Sequence, residues 1–382
     1  MRKLKHALAL AAILAAPGAQ AYVGLCCGKC GGNMPLNIPG GGVPETYEFR
    51  LKLSPMRMRM EGLRDGTSSV APSALLGMPA MGYYMAVPTA MDMDMLHLAV
   101  GYSASDDWFV GAMLMWKRNR MAMRFNGMMA ASTGVPGFTM RSEGLGDVML
   151  MLKRRLHADD PLMPTRQASL LLGLSLPTGS IDERNADHPV ASRRDELLPY
   201  GMQLGSGTVD PTLGLLLQGS RSPWWWGANL TWTARLYDND RGWRLGDEAR
   251  VDLYLMRQFR YDLVGELQLN ARWQGRIRGE MDEVAAGTSG RATDGDPTSP
   301  YVSPAYDPDN YGGRTLYATL GLQWQPVPLQ ILNLQLTLPL YRDLNGPQLE
   351  TDWQVMLTWY AEVPTRRSIR YRRRPPAPEL GF

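Results

Sequence analysis

Apolar and polar residues alternate one by one along much of this chain. In 224–236, Trp226, Ala228, Leu230, Trp232, Ala234 and Leu236 form one row; Trp225, Gly227, Asn229, Thr231, Thr233 and Arg235 form the other. Leu263, Leu267, Leu269 and Trp273 oppose Glu266, Gln268, Asn270 and Arg272 in the same way. A two-residue period bounded by Gly, Pro, Asp and Asn predicts strands. Twelve are expected. The first starts at Tyr47 and runs past Pro55 to Met60, and the rest lie near 91–102, 107–118, 145–156, 167–176, 209–219, 224–236, 247–258, 262–274, 314–324, 331–341 and 352–361.

The connections alternate long and short. The long set is 61–90, 119–144, 177–208, 237–246, 275–313 and 342–351, and the short set is 103–106, 157–166, 220–223, 259–261 and 325–330. A membrane β-barrel needs strands of about 9–11 tilted residues and has short turns at one end and long loops at the other. Charges inside the polar rows and Trp near the strand ends fit a wet lumen and interfacial girdles. The expected fold is all-β, a transmembrane antiparallel up-and-down barrel of about 12 strands, outer-membrane type. A large secreted β-sandwich is the weaker alternative.

The start of the chain changes the picture next. Arg2, Lys3 and Lys5 precede an apolar run from Ala7 to Ala16 and an Ala19-Gln20-Ala21 site, as in a secretory signal peptide cleaved near Ala21. The expected organisation is a signal peptide (1–21), a Gly/Pro/Cys-rich periplasmic leader (22–45), the barrel (46–361) and a basic, Pro-rich tail (362–382). Losing Arg2, Lys3 and Lys5 from 40 basic residues leaves 37 against 37 acidic ones, so nucleic acid is not an expected partner. The expected location is the outer membrane of a Gram-negative bacterium, with its lipid, the barrel-assembly machinery and a small-molecule solute as partners. No feature sets an oligomeric state.

Four segments, GLGDVMLMLKRRL (144–156), LGLSLPTGS (172–180), LGSGTVDPTLGL (204–215) and LPLYRDLNGPQLETDWQVMLTWY (338–360), resemble the outer-membrane barrel family of MetA-pathway phenol-degradation proteins. The resemblance spans about 46–361. It implies a transporter-like or channel-like barrel and passage of hydrophobic or aromatic compounds. The chain departs from such barrels at its end, where about twenty residues follow Trp359-Tyr360.

Candidate chemistry is sparse. No G-x-S-x-G, phosphate-cradling loop or H-E-x-x-H is present, so no enzyme is expected. The expected pore-lining set is Arg57, Arg59, Asp92, Asp94, Asn229, Thr231, Arg235, Glu266, Gln268, Asn270 and Arg272. A Lys or Arg on the lipid face costs about 2–4 kcal/mol at mid-depth. Arg57, Arg59, Asp92 and Asp94 are therefore expected inward, paired across the wall, with the interleaved methionines toward lipid. Eighteen of 25 Met fall between 56 and 151, and Cys26, Cys27 and Cys30 cluster in the leader. Thioethers and thiolates select soft ions, so the alternative to a channel without cofactor is a Cu(I)-binding barrel using Cys26, Cys27, Cys30, Met78, Met81 and Met85. A Cys27–Cys30 disulfide is the simpler reading of the cluster. The acidic residues of 275–313 fit a solvated outer loop better than a Ca²⁺ site.

Overall fold

The computed structural model describes residues 34–160 and 164–372. The signal-peptide segment and the three cysteines lie outside them. The first strands are β1 (Glu48–Gly66), β2 (Ser68–Val70), β3 (Ala86–Ser103), β4 (Trp108–Phe125) and β5 (Gly137–Leu145). Next come β6 (Val148–Ala158), β7 (Arg166–Leu176), β8 (Asp210–Arg221), β9 (Trp224–Thr233) and β10 (Trp243–Arg244). The last are β11 (Glu248–Arg260), β12 (Leu263–Gln274), β13 (Arg278–Gly279), β14 (Gly313–Val327) and β15 (Gln330–Pro364). Among the described residues no helix is long and apolar enough to cross a membrane.

Eleven strands close a ring in the order β1, β3, β4, β6, β7, β8, β9, β11, β12, β14, β15, and β15 returns to β1. Every pairing is antiparallel. An odd ring cannot be antiparallel throughout, and β15 resolves this. Its first half pairs with β14 and its second half with β1. The chain reverses at Asn345-Gly346, where glycine supplies a φ of 70°, and Arg342 meets Glu350 across the hairpin at 3.2 Å. The ring therefore has twelve staves. β2 and β5 each pair with one ring strand, and β10 and β13 form a separate small sheet in the loops.

Outward rows are apolar. Leu213, Leu215, Leu217, Leu230, Leu253, Leu255, Leu334 and Leu336 are all exposed. Trp108, Trp226, Trp324 and Trp359 ring the short-turn end, and Trp232 and Trp273 stand at the other. Trp324 pairs with Leu263, ten residues from Trp273 on β12. At about 3.4 Å per residue and a tilt of about 40°, that spans roughly the 25 Å apolar band of an outer-membrane barrel.

β1, β3 and β4 are far longer than such a band requires, at 18–19 residues each. Their long-loop halves rise beyond it. This corrects one sequence expectation. Arg57, Arg59, Asp92 and Asp94 lie on the outward row, in phase with Phe49 and Leu53 on β1 and with Leu96, Leu98 and Val100 on β3. On β4 the same outward row reads Trp108, Val110, Leu114 and Trp116 before it turns to Arg118 and Arg120, so the charges begin where the aromatic boundary ends. The mid-depth penalty does not apply there, because the cost falls to about 0–1 kcal/mol near the interface. The expected pairing does form, on the outside: Arg59–Asp92 at 2.7 Å, Arg57–Asp94 at 3.8 Å and Arg120–Asp94 at 2.9 Å. The methionines between them face the lumen.

Candidate functional site

Both ends of the lumen are filled by the chain itself. The described part of the leader, 34–45, lies inside the short-turn end of the barrel. Met34, Leu36 and Ile38 are buried against Leu171, Leu216, Tyr254, Val264, Ile331 and Tyr360 from around the wall. Its irregular, Gly- and Pro-rich backbone satisfies only some of its own carbonyls, those of Pro35 and Ile38 accepting from Ile38 and Gly41, and the wall supplies donors to others. Arg50 donates to the carbonyls of Gly41 and Gly42, Lys52 to Leu36 at 2.5 Å, and Lys153 to Gly40 at 3.4 Å. Gly42 adopts a φ of 66°, and a Cβ there would strike the Tyr360 ring. Sequence reading treated 22–45 as a leader outside the barrel, so these contacts were missed.

A hydrogen-bonded ladder joins the plug to the opposite wall. Asn37 exchanges bonds with Gln268 at 3.0–3.1 Å and accepts from Gln335 at 2.8 Å. The buried Glu266 carboxylate accepts from four carboxamides: Gln268 (3.3 Å), Gln335 (2.8 Å), Asn333 (2.8 Å) and Gln323. Higher up, Asp252 accepts from Asn229 at 3.1 Å and Asn270 at 2.8 Å, and Thr319 donates to Asn270.

The long loops close the other end. Leu197, Tyr200, Trp243, Met281, Val284 and Tyr306 form a buried cluster shared by 177–208, 234–247 and 275–312. Arg193 ties two of these loops together, pairing with Glu196 at 3.0 Å and donating to the carbonyls of Arg291 and Ala292. Tyr306 donates to the Leu197 carbonyl at 2.8 Å. Burial pushes the Glu196 carboxyl up to about 6, against the pull of Arg193. It pushes the His188 ring down to about 4, aided by Arg193 and Arg194. His188 sits edge-on to Phe138, with ring centroids 4.6 Å apart. The acidic residues of 275–313 serve this lid: Glu283 meets Arg184 at 2.9 Å and Arg241 at 3.3 Å.

Between plug and lid lies a cavity of about 480 Å³. One wall is sulfur-rich, with Met58, Met60, Met91, Met93 and Met121 from β1, β3 and β4 and Met202 from the lid. The facing wall is polar, with Arg250, Asp252, Asn270, Arg272, Thr319 and Thr337. Glu248 holds both arginines, at 3.1 Å from Arg250 and 2.7 Å from Arg272.

The expected pore-lining residues separate into three groups. Asn270 and Arg272 border the cavity. Asn229, Thr231, Glu266 and Gln268 lie on the inward rows away from it, and Arg235 is bound to Asp210 under the lid. Arg57, Arg59, Asp92 and Asp94 are outside. The methionine wall was missed, although the signal was present: Phe49, Leu51, Leu53, Pro55 and Arg57 share one parity. Of the alternative metal set, Met78 and Met81 are exposed on the rim and Met85 is partly buried below Val302. The three cysteines lie outside the described residues. Among the described residues no three His, Cys, Asp or Glu side chains converge on a metal-sized site.

No family model matches the chain, and no curated protein matches it. Solved structures do. An outer membrane channel from Pseudomonas putida F1 aligns with a TM-score of 0.54 and 13% identity, covering 84% of this chain and 97% of that one. The TodX monoaromatic hydrocarbon channel, as a deltaS2S3 mutant, aligns at 0.41 with 11% identity, covering 85% and 91%. The NanC porin aligns at 0.39 with 8% identity, covering 81% and 100%. The first likeness, together with the closed ring, defines the class by fold: an outer-membrane-type antiparallel β-barrel.

Proposed function

We propose that this protein is an outer-membrane channel for small molecules, held shut at rest by its own residues 34–45 and by its loop lid. The observation that carries this reading is the cavity of about 480 Å³ bordered by both, through Asn37 and Ile38 on one side and Met202 and Tyr311 on the other. That volume fits a small molecule, and pockets for such ligands fall at about 300–1,000 Å³. A thioether wall packs favourably against aromatic rings, and the facing donors and acceptors suit a polar substituent. Small hydrophobic or aromatic solutes with one polar end fit both walls. The resemblance of four motifs to the MetA-pathway phenol-degradation family implies the same solute class.

The plug is suited to displacement because polar bonds to carbonyls hold much of it. Water can replace such bonds, whose donors are charged, at a net cost of about 1.5–3 kcal/mol each. Proteoliposomes carrying the full mature chain should take up small aromatic solutes faster than protein-free vesicles. The variant Arg50→Ala/Lys52→Ala should be faster still. Uptake equal to protein-free vesicles for both proteins would overturn the reading.

A further inference from the structure

All fifteen methionines within strands lie on lumen-facing rows. The outward apolar rows of the same strands use Leu, Val, Phe and Trp instead. Burial alone would be served equally well by leucine. The segregation therefore concerns sulfur rather than hydrophobicity.

These methionines are in register. Met60 stands opposite Met91, Met91 opposite Met121, and Met121 opposite Met140, on four neighbouring strands. Directly opposed side chains start about 5 Å apart, close enough for flexible thioethers to converge on one ion. Met58 and Met93 form the next row towards the plug, and Met56 and Met95 the one after. Rows are about 7 Å apart. Below them His97 Nε2 lies 3.2 Å from Met115 Sδ. Met60, Met91 and Met121 border the cavity, and Met91 and Met121 are at the same time buried beside Met140 and Met202 in one cluster, with Met60 packed against it.

We propose that the row Met60, Met91 and Met121 binds a soft monovalent cation, Cu(I) or Ag(I), at the sulfur-rich wall of the chamber. Thioethers are soft ligands that select such ions over Zn²⁺, Ca²⁺ and Mg²⁺. The lower methionine rows supply further positions of the same kind towards the plug. This site is separate from the leader cysteines and does not depend on the channel reading.

The test is Ag(I) titration of the full mature chain folded in detergent, followed calorimetrically and through the methionine methyl resonances. Because thiolates bind Ag(I) more tightly than thioethers, the triple variant Met60→Leu/Met91→Leu/Met121→Leu is compared in a Cys26→Ser/Cys27→Ser/Cys30→Ser background, where it should lose the tightest Ag(I) equivalent while keeping heat-modifiable migration. The variant Cys26→Ser/Cys27→Ser/Cys30→Ser should keep that equivalent, and Zn²⁺ should not compete. Unchanged Ag(I) stoichiometry and affinity in the triple leucine variant would overturn the proposal. If that variant does not fold, the wild-type spectrum decides. Ag(I) shifts of the Met60, Met91 and Met121 methyls support the site, and shifts confined to other methionines, or none, refute it.

Discussion

Glu266 shows what a single residue does in a lumen that is crowded rather than empty. Its buried carboxylate accepts from four carboxamides on three neighbouring staves, and it stands two hydrogen bonds from the plug, through Gln268 to Asn37. Replacing it with leucine removes the acceptor of Asn333 and one acceptor each of Gln268, Gln335 and Gln323, which keep Asn37 and the Met34 carbonyl. At about 1–3 kcal/mol for a stranded buried donor, Glu266→Leu should lower barrel stability by about that amount in a urea titration followed by Trp fluorescence. Glu266→Gln should cost clearly less, because it keeps acceptor capacity. Equal stability of wild type and the leucine variant would show that the ladder carries no weight.

In the lid, Glu196 and His188 respond to acid in opposite senses. The Glu196 carboxyl is raised to about 6, so its contribution is present below its ordinary 4.5 and lost as pH rises through about 6. The His188 ring is lowered to about 4, so its contribution is present above its ordinary 6.5 and lost as pH falls through about 4. The two offset each other between these limits. Protease cleavage within 177–208 should change little in the wild type between pH 7 and a pH near 4.5, which lies between the Glu196 value of about 6 and the His188 value of about 4. Acidification should speed it in Glu196→Gln and slow it in His188→Phe. The same slope in all three proteins would contradict this assignment. Neither residue stood out in the sequence, because their burial comes from contacts between distant loops.

At the scale of elements, strand existence was legible and strand length was not. Period-two alternation placed the staves of the ring, and the long–short alternation of connections placed their ends. β5 was read as part of a loop at 119–144, since Gly137 to Leu145 mixes Arg141, Ser142 and Glu143 into a short run. The first strand was cut near Met60 because a membrane crossing needs only about ten residues. That truncation is what turned Arg57 and Arg59 inward on paper. Their true place, outside and above the apolar band, makes a mild prediction. Exposed ion pairs contribute about 0.2–1 kcal/mol. Arg57→Gln and Asp94→Asn should therefore each lower stability by no more than that, and should leave solute passage unchanged. A change in ion selectivity with Arg57→Glu would return these residues to the pore.

At the scale of the whole molecule, the sequence announced a barrel but not that residues 34–45 and the long loops pack into it. The even number of staves puts both ends of the barrel segment on the short-turn side. There Arg370 from the tail joins Glu362 at 2.5 Å and also reaches Glu48. From that side residues 34–45 turn into the lumen, a placement that no local pattern in a Gly- and Pro-rich stretch reveals. It depends on cations such as Lys52 and Lys153, which occupy ordinary paired positions inside β1 and β6 and become meaningful only when the ring closes. The central claim is that this inserted segment is what blocks the pore.

Single-channel recording in planar bilayers tests that claim most directly, comparing the wild type with Arg50→Ala/Lys52→Ala/Lys153→Ala. The account predicts rare, small openings in the wild type and frequent, larger ones in the variant. Two traces with the same opening frequency and conductance, whether both open or both silent, would contradict it.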